Sequence, residues 1–281
     1  MTKLDVAAST FPFLYSHDGL DAVKHLHGLG YDIFELMIFP PHCWPGELSA
    51  EQRRAYKTWL DGEGVRLSSF CYPLLDNNPN STDKLMRDYT LDRYKEAVDF
   101  AAELSCPYVI SIPGPVGTLI NPPKEWMLNW YVEAMQDLLG DMKGTGVELL
   151  LENVPFTYLP SAQDMVDTAK LIGPEVGINY DVCNGAFINE DPAAAIRMMG
   201  DMVKNVHISD SGPTEFKHDR LGTGIVEPGP AAEALRDIGY TGVTVMEIIT
   251  DANQPGADPD GDIQASHAIL AEAGWEPLGA R

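Results

Sequence analysis

Basic residues are scarce in this chain: 19 Lys and Arg stand against 42 Asp and Glu among 281 residues, a formal net charge of −23. Affinity for nucleic-acid phosphates or acidic lipid comes largely from cationic side chains, so the deficit argues for no nucleic-acid partner and no membrane partner. Long apolar runs are also missing. No window reaches about 18 consecutive apolar residues, and MTKLDVAAST has no basic stretch followed by an apolar one. Neither a membrane span nor an export signal is indicated, and a cytoplasmic protein is expected. The four cysteines, Cys43, Cys71, Cys106 and Cys183, form no CxxC pair, which excludes a disulfide scaffold or a structural zinc site as the organising element. A Gly-rich phosphate loop is absent after the first apolar run, where STFPFLY stands instead. An open doubly wound sheet would usually carry such a loop there.

What is present is alternation. With 44% hydrophobic residues the chain can bury a sizeable core. Short apolar runs rich in β-branched and aromatic residues predict strands over 4–9, 31–37, 65–72, 108–112, 147–153, 177–182, 203–209 and 242–248. Between and after them, three-to-four-residue apolar spacing predicts helices over 18–29, 49–62, 82–104, 123–144, 161–172, 191–200, 230–238 and 262–273. Ser49 with Gln52 fits a capping box, and Gly30, Gly146, Gly173 and Gly239 follow helical patterns as stops. Segment 251–262 (DANQPGADPDGD) reads as a solvated loop. Runs such as VELLL and GVTVM are continuously apolar, as in a parallel sheet covered by helices. Eight such units predict a (β/α)8 TIM barrel, with residues 1–281 as a single domain.

Carboxylates are disfavoured in buried strands, so acids that end apolar runs require a reason. Glu152 ends VELLLE, Asp181 ends VGINYD, His207 ends VKNVH and Glu247 ends GVTVME, which places them on strands five to eight in succession. In a closed barrel these ends surround the C-terminal mouth, where such folds place their chemistry. Three oxygen donors and one imidazole suit a divalent ion, Mn2+ first and Mg2+ or Co2+ as alternatives.

The segments LLLENV, YDVCNGA, VHISD, DRLGTG and VTVMEI, in this order, resemble the sugar phosphate isomerase/epimerase superfamily with its xylose-isomerase-like TIM barrel. The resemblance implies that Glu152, Asp181, His207 and Glu247 are metal ligands, and that Glu152 and Glu247 are also the catalytic acid/base pair. It further implies a small carbohydrate substrate and a homo-oligomer, a dimer or tetramer. The expected reaction is isomerisation or epimerisation of a keto sugar or sugar phosphate through a metal-stabilised enediolate, with a carboxylate removing and another returning the proton. Inosose dehydratases resemble the same superfamily, so a lyase acting on a keto sugar or inosose is the alternative, with Tyr158 or His218 as the acid that a departing hydroxyl would need. An endonuclease-IV-like phosphodiesterase would need more histidines than the seven present (17, 25, 27, 42, 207, 218 and 267), of which only His207 ends a strand. A metal-free binding protein is the remaining class, and the intact ligand set opposes it.

Ketohexose 3-epimerases carry a further glutamate and a histidine where this chain has Tyr158 and Asn184. Asn184 instead matches an Asp-x-x-Asn segment of some pentulose-phosphate 3-epimerases, and is a substrate-binding candidate. Arg220, in HDRLGTG, could meet a substrate oxygen through its planar fork. Trp44 and His42, in PPHCWP after strand two, could wall a sugar face, and Glu35 on that strand could contact the substrate or support the metal site.

Overall fold

The apolar runs form eight strands in the computed structural model of the chain, which describes residues 3–73, 75–117 and 119–279. Positions 1–2 and 280–281 of the domain reading lie outside the described residues. The strands are β1 (Asp5–Ser9), β2 (Ile33–Met37), β3 (Arg66–Cys71), β4 (Tyr108–Ser111), β5 (Glu148–Glu152), β6 (Gly177–Asp181), β7 (Val203–Ile208) and β8 (Val243–Met246). Each pairs in parallel with its neighbour in sequence, and β1 pairs with β8, which closes the barrel. The expected single-domain (β/α)8 architecture is therefore present.

The helices are α1 (Gly19–Gly28), α2 (Ala50–Glu63), α3 (Lys84–Glu103), α4 (Lys124–Met142), α5 (Ala162–Ile172), α6 (Val182–Phe187), α7 (Pro192–Met199), α8 (Pro228–Asp237) and α9 (Pro259–Ala273). Their ends follow local chemistry. The Ser49 hydroxyl accepts the Gln52 N–H at 3.2 Å and the Gln52 side chain accepts the Ser49 N–H at 2.9 Å, completing the capping box of α2. That helix runs past Gly62 because Gly64, at φ 70°, is the residue that adopts the left-handed stop. The loop expected over 251–262 is shorter than expected, since Asp258 caps Gly261 at 3.0 Å and Pro259 opens α9. Helix α6 was not anticipated; at 6 residues it is too short to display an amphipathic period.

Most apolar side chains pack between the sheet and the helices. A second, smaller cluster, Ala7, Ile33, Val243 and Val245, is separate from that layer. Strand side chains alternate faces with period two, so Ala7 shares a face with Ser9, Ile33 with Glu35, and Val245 with Glu247. One face of these strands thus turns from apolar to polar and charged toward the C-terminal mouth.

The loop after β7 is organised by one buried carboxylate. Asp210 accepts backbone N–H bonds from Ser211 and Val226 at 2.9 Å each, from Thr223 at 3.0 Å and from Gly224 at 2.8 Å. Gly224 is required there because a Cβ would strike the Ser211 carbonyl. Replacing Asp210 by Ala removes the acceptor of four backbone N–H groups, those of Ser211 and Val226 buried, and hydrogen bonds to a charged group contribute about 1.5–3 kcal/mol each. Asp210→Ala is expected to lower unfolding free energy by about 3 kcal/mol or more in urea titration. A change below about 0.5 kcal/mol would show that the loop does not depend on this carboxylate.

Candidate metal and active site

The closed sheet brings the four strand-end residues together. One ligand atom from each of Glu152, Asp181, His207 and Glu247 lies within 4.8 Å of the others, and all four side chains are buried. Glu152 and Asp181 are the last residues of β5 and β6, His207 is the penultimate residue of β7, and Glu247 directly follows β8. The register sets Asp181 beside His207 and His207 beside Val245.

Neighbouring side chains fix these groups. The Asn153 amide clasps the Asp181 backbone, accepting its N–H at 2.8 Å and donating to its carbonyl at 3.0 Å. Asp181 Oδ1 accepts the Asn184 N–H at 2.7 Å and so caps α6. His207 Nε2 lies 2.7 Å from Glu35 Oε2, which also accepts the Ser69 hydroxyl at 2.8 Å. Glu35 thereby orients the imidazole with Nδ1 toward the cluster, 3.3 Å from Glu152 Oε1 and 3.5 Å from Glu247 Oε2. Neither approach has hydrogen-bond geometry. His207 Nδ1, Glu152 Oε2 and Asp181 Oδ2 are all buried without a hydrogen-bond partner among the described residues.

That arrangement is electrostatically incomplete by itself. Three buried carboxylates at such separations repel one another, and buried polar atoms without partners are costly. A divalent cation would offset both, and the oxygen and imidazole donors suit one, so the cluster fits a metal site. Without an ion, two imidazoles carry the compensation. Burial alone would lower the His207 pKa, but Glu35, Glu247 and Glu152 hold it well above the ordinary value. His218, from the loop after β7, sets Nδ1 3.1 Å from Glu247 Oε2 and 3.8 Å from Asp181 Oδ2. Burial opposes its charge too, yet contact with Glu247 raises it to about 9. Burial raises the Glu152 carboxyl to about 7 despite His207. For Glu247 burial acts in the same direction, but the two imidazoliums outweigh it and hold the carboxyl well below its usual range.

His218 joins the cluster, where the sequence offered it only as an acid for the lyase alternative. It lies within the quoted HDRLGTG segment, but a loop histidine carries no strand-end signal. Of the substrate-contact candidates, Asn184 and Glu35 touch the ligands; the Asn184 amide donates to the Asn153 carbonyl at 2.9 Å, and its buried Oδ1 has no hydrogen-bond partner among the described residues. Glu35 supports His207 from behind. His42 is buried between Thr10 Oγ1 at 3.1 Å and the His17 carbonyl at 2.8 Å. Trp44 packs on Tyr72 and under the Arg93 guanidinium. Arg220 is half exposed, its Nε 4.0 Å from Asp262. The contacts of these last three side chains do not reach the four-residue cluster.

The shifts set a pH signature for the metal-free protein. Glu152 has a folded-state pKa of about 7 against an ordinary 4.5, so folding favours its protonated form and stability falls as pH rises through that interval. His218 adds stability that is complete below its ordinary 6.5 and is lost as pH rises through about 9. Both slopes have the same sign. Together these two groups lower the melting temperature in chelator as pH rises from about 5 to about 9, against the rise toward about pH 6.5 that the depressed imidazoles of buried His42 and His267 contribute, and Glu152→Gln should remove the Glu152 part of the fall below about pH 7. An unchanged profile in that variant would mean that Glu152 carries no shifted proton.

Comparison with known proteins agrees with this architecture. The chain is 25% identical to fructoselysine 3-epimerase of Shigella flexneri over 271 residues, covering 89% of this chain and 93% of the relative. It is 22% identical to L-ribulose-5-phosphate 3-epimerase of Salmonella paratyphi A over 260 residues, 91% of each chain. The crystal structure of D-psicose 3-epimerase with D-tagatose from Clostridium cellulolyticum H10 superposes with a TM-score of 0.79 at 21% identity, over 96% of this chain and 98% of the other. The family described as xylose isomerase-like TIM barrel matches residues 23–273. A closed eight-stranded barrel with a buried Glu-Asp-His-Glu cluster at its mouth, matched over this length, belongs to the xylose isomerase-like TIM barrel family.

Proposed function

We propose that the protein is a divalent-cation-dependent epimerase of a keto sugar or keto-sugar derivative. The observation that carries this reading is the pairing of two buried carboxylates from separate strand ends, Glu152 of β5 and Glu247 beyond β8, at 3.3 Å and 3.5 Å from the same His207 Nδ1 atom. Inverting a carbon beside a ketone requires a proton to leave one face and another to arrive on the opposite face. Two carboxylates from separate strands flanking one site supply an acceptor and a donor for those transfers. The relatives named as 3-epimerases support the same chemistry.

In this reading Glu152, Asp181, His207 and Glu247 hold the ion, Mn2+ first and Mg2+ or Co2+ by the same donor chemistry. When bound, the ion supplies positive charge against the oxygens of the substrate. The remaining work belongs to the chain. Glu152 and Glu247 move the protons, and Glu35 with Ser69 keeps His207 in one orientation. Asn153 holds the end of β6 in place, and Asn184 Oδ1 offers a buried acceptor to a substrate hydroxyl.

One observation favours a second reading. His218 stands beside Glu247 and could protonate a departing hydroxyl, as a dehydratase requires. Tyr158, the other acid considered, has its hydroxyl donated to the Met127 carbonyl at 2.9 Å. Product mass separates the two readings.

With Mn2+ and a ketose panel in D2O, the product is expected to gain deuterium at carbon and otherwise keep its mass. Loss of one water would establish the dehydratase reading instead. Glu152→Gln and Glu247→Gln should each remain folded and lose about 10²- to 10⁴-fold in turnover. Near-normal rates in both would remove them from proton transfer. Glu35→Ala should weaken Mn2+ binding by about 10- to 100-fold, read as free Mn2+ by electron paramagnetic resonance. Unaltered affinity would show that His207 needs no such support.

A further inference from the structure

The segments that follow β5, β6 and β7 each supply a phenylalanine at the barrel mouth. Phe156 lies in the loop after β5, Phe187 ends α6, the helix that Asp181 caps, and Phe216 lies in the loop after β7, ahead of His218. Their rings meet. Phe187 and Phe216 have centroids 5.0 Å apart, and Phe156 lies 5.6 Å from Phe216 and 5.9 Å from Phe187. Phe216 in turn stands edge-on to the His218 imidazole at 5.3 Å, and His218 reaches Glu247 at 3.1 Å. An aromatic cluster is thus joined to the carboxylate cluster through one imidazole.

Phe156 is the unusual member of the three. Its φ of 64° lies in the left-handed region, which is costly for a bulky side chain, and the residue is 62% exposed, so little burial offsets the strain. Neighbouring backbone holds it there. The Val116 N–H, from the loop after β4, donates to the Phe156 carbonyl at 2.7 Å, and Pro115 and Thr157 form an antiparallel bridge. The Thr157 hydroxyl donates to the Val154 carbonyl, also at 2.7 Å. Glycine or asparagine would adopt this conformation at lower cost. A phenyl ring fixed there and left largely in solvent adds little to folding, and strained residues of this kind concentrate at ligand clamps and active sites.

The mouth therefore has two characters: carboxylates and imidazoles buried within it, and apolar rings just beyond the ends of the same strands. A molecule that spans both is hydroxylated where it reacts and apolar where it meets the rings. Continuity with the reaction centre selects the substrate over a second copy of the chain as the occupant. Among apolar groups an aromatic ring fits best. Tilted ring pairs with centroids about 4.5–7 Å apart gain more than their buried area alone. The three phenylalanines, inclined at 56° to 79° to one another, already pack in that way.

We infer that Phe156, Phe187 and Phe216 form a substrate subsite for an aromatic ring: the substrate is a keto sugar carrying an aryl substituent away from its reacting carbons. The inference rests on the keto-sugar reading above and adds the chemistry of the far end of the molecule.

Calorimetric titration of the protein in Mn2+ tests it. The probes are fructose, psicose and tagatose, with the methyl, cyclohexyl and phenyl ethers of each at either terminal carbon. One phenyl ether is expected to bind at least about tenfold tighter than its methyl counterpart, and tighter than the cyclohexyl ether. Phe156→Gly should bring the phenyl-to-methyl ratio to within about threefold of unity, whereas Phe156→Tyr, which keeps a ring, should retain the preference. Because glycine adopts positive φ freely, Phe156→Gly is expected to melt within about 2 °C of the original chain or above it. A ring that serves packing alone would give the opposite pair of results, a lowered melting temperature with binding ratios unchanged. A phenyl ether no tighter than the methyl ether, a cyclohexyl ether that gains as much, or a preference that survives Phe156→Gly would overturn the subsite. So would a dimer in sedimentation that Phe156→Gly splits into monomers, since the rings would then be a contact between copies. If ketoses bind with no gain from the phenyl group, only the subsite fails. If neither the ketoses nor their ethers bind, the keto-sugar reading fails and the subsite with it.

Discussion

The structure is organised around three carboxylates buried at one barrel mouth. Glu152, Asp181 and Glu247 would repel one another in any compact state, and a chain tolerates that only where something offsets the charge. In the metal-free protein the offset comes from His207 and His218, whose contacts with the acids keep both imidazoles charged against the effect of burial. A divalent ion would take over that role, and its arrival would require His207 Nδ1 to be free of its proton. Ion binding and proton loss are thus coupled through the same few atoms.

Supporting interactions radiate outward from this constraint. Glu35 on β2, itself held by the Ser69 hydroxyl on β3, reaches across the barrel interior to His207 on β7, so an imidazole on one wall is oriented from another. This works only because the sheet closes. Asn153 joins the ends of β5 and β6, while Asp210 gathers four backbone N–H groups into the loop that presents His218. The rigid part of the fold holds the proton-transfer groups, and the segments after β5, β6 and β7 gather Phe156, Phe187 and Phe216 beyond them. Such a division lets a family keep one reaction centre while loop residues set what else the substrate must carry.

Much of this was legible in the sequence. Eight apolar runs separated by helical spacing specify a closed parallel barrel, because continuously apolar strands need cover and each crossover supplies a helix. Boundaries followed local chemistry where it was strong, as at the Ser49–Gln52 box. They shifted where a stronger local group lay nearby, as when Asp258 with Pro259 opened α9 ahead of residue 262. The strand-end acids were visible because a carboxylate closing an apolar run is costly unless it has a partner. Glu152, Asp181, His207 and Glu247 converge as that pattern implies.

Relations between residues distant in the chain were not legible. His218 carries no periodic signal, and only the Asp210-ordered loop brings it to Glu247. Glu35 read equally as a substrate contact or as a support of the metal site until the closed sheet set its carboxylate behind His207, 172 residues away in sequence. His42, Trp44 and Arg220 have residue types suited to sugar or anion binding, yet their side chains are engaged with Thr10, Tyr72 and Asp262. The sequence by itself determined which elements form and which charged side chains end up at the mouth, since hydrophobic periodicity and the cost of burying charge act locally. Tertiary structure decided which of those side chains face one another, because that depends on barrel closure, strand register and loop path, which no short stretch of sequence contains.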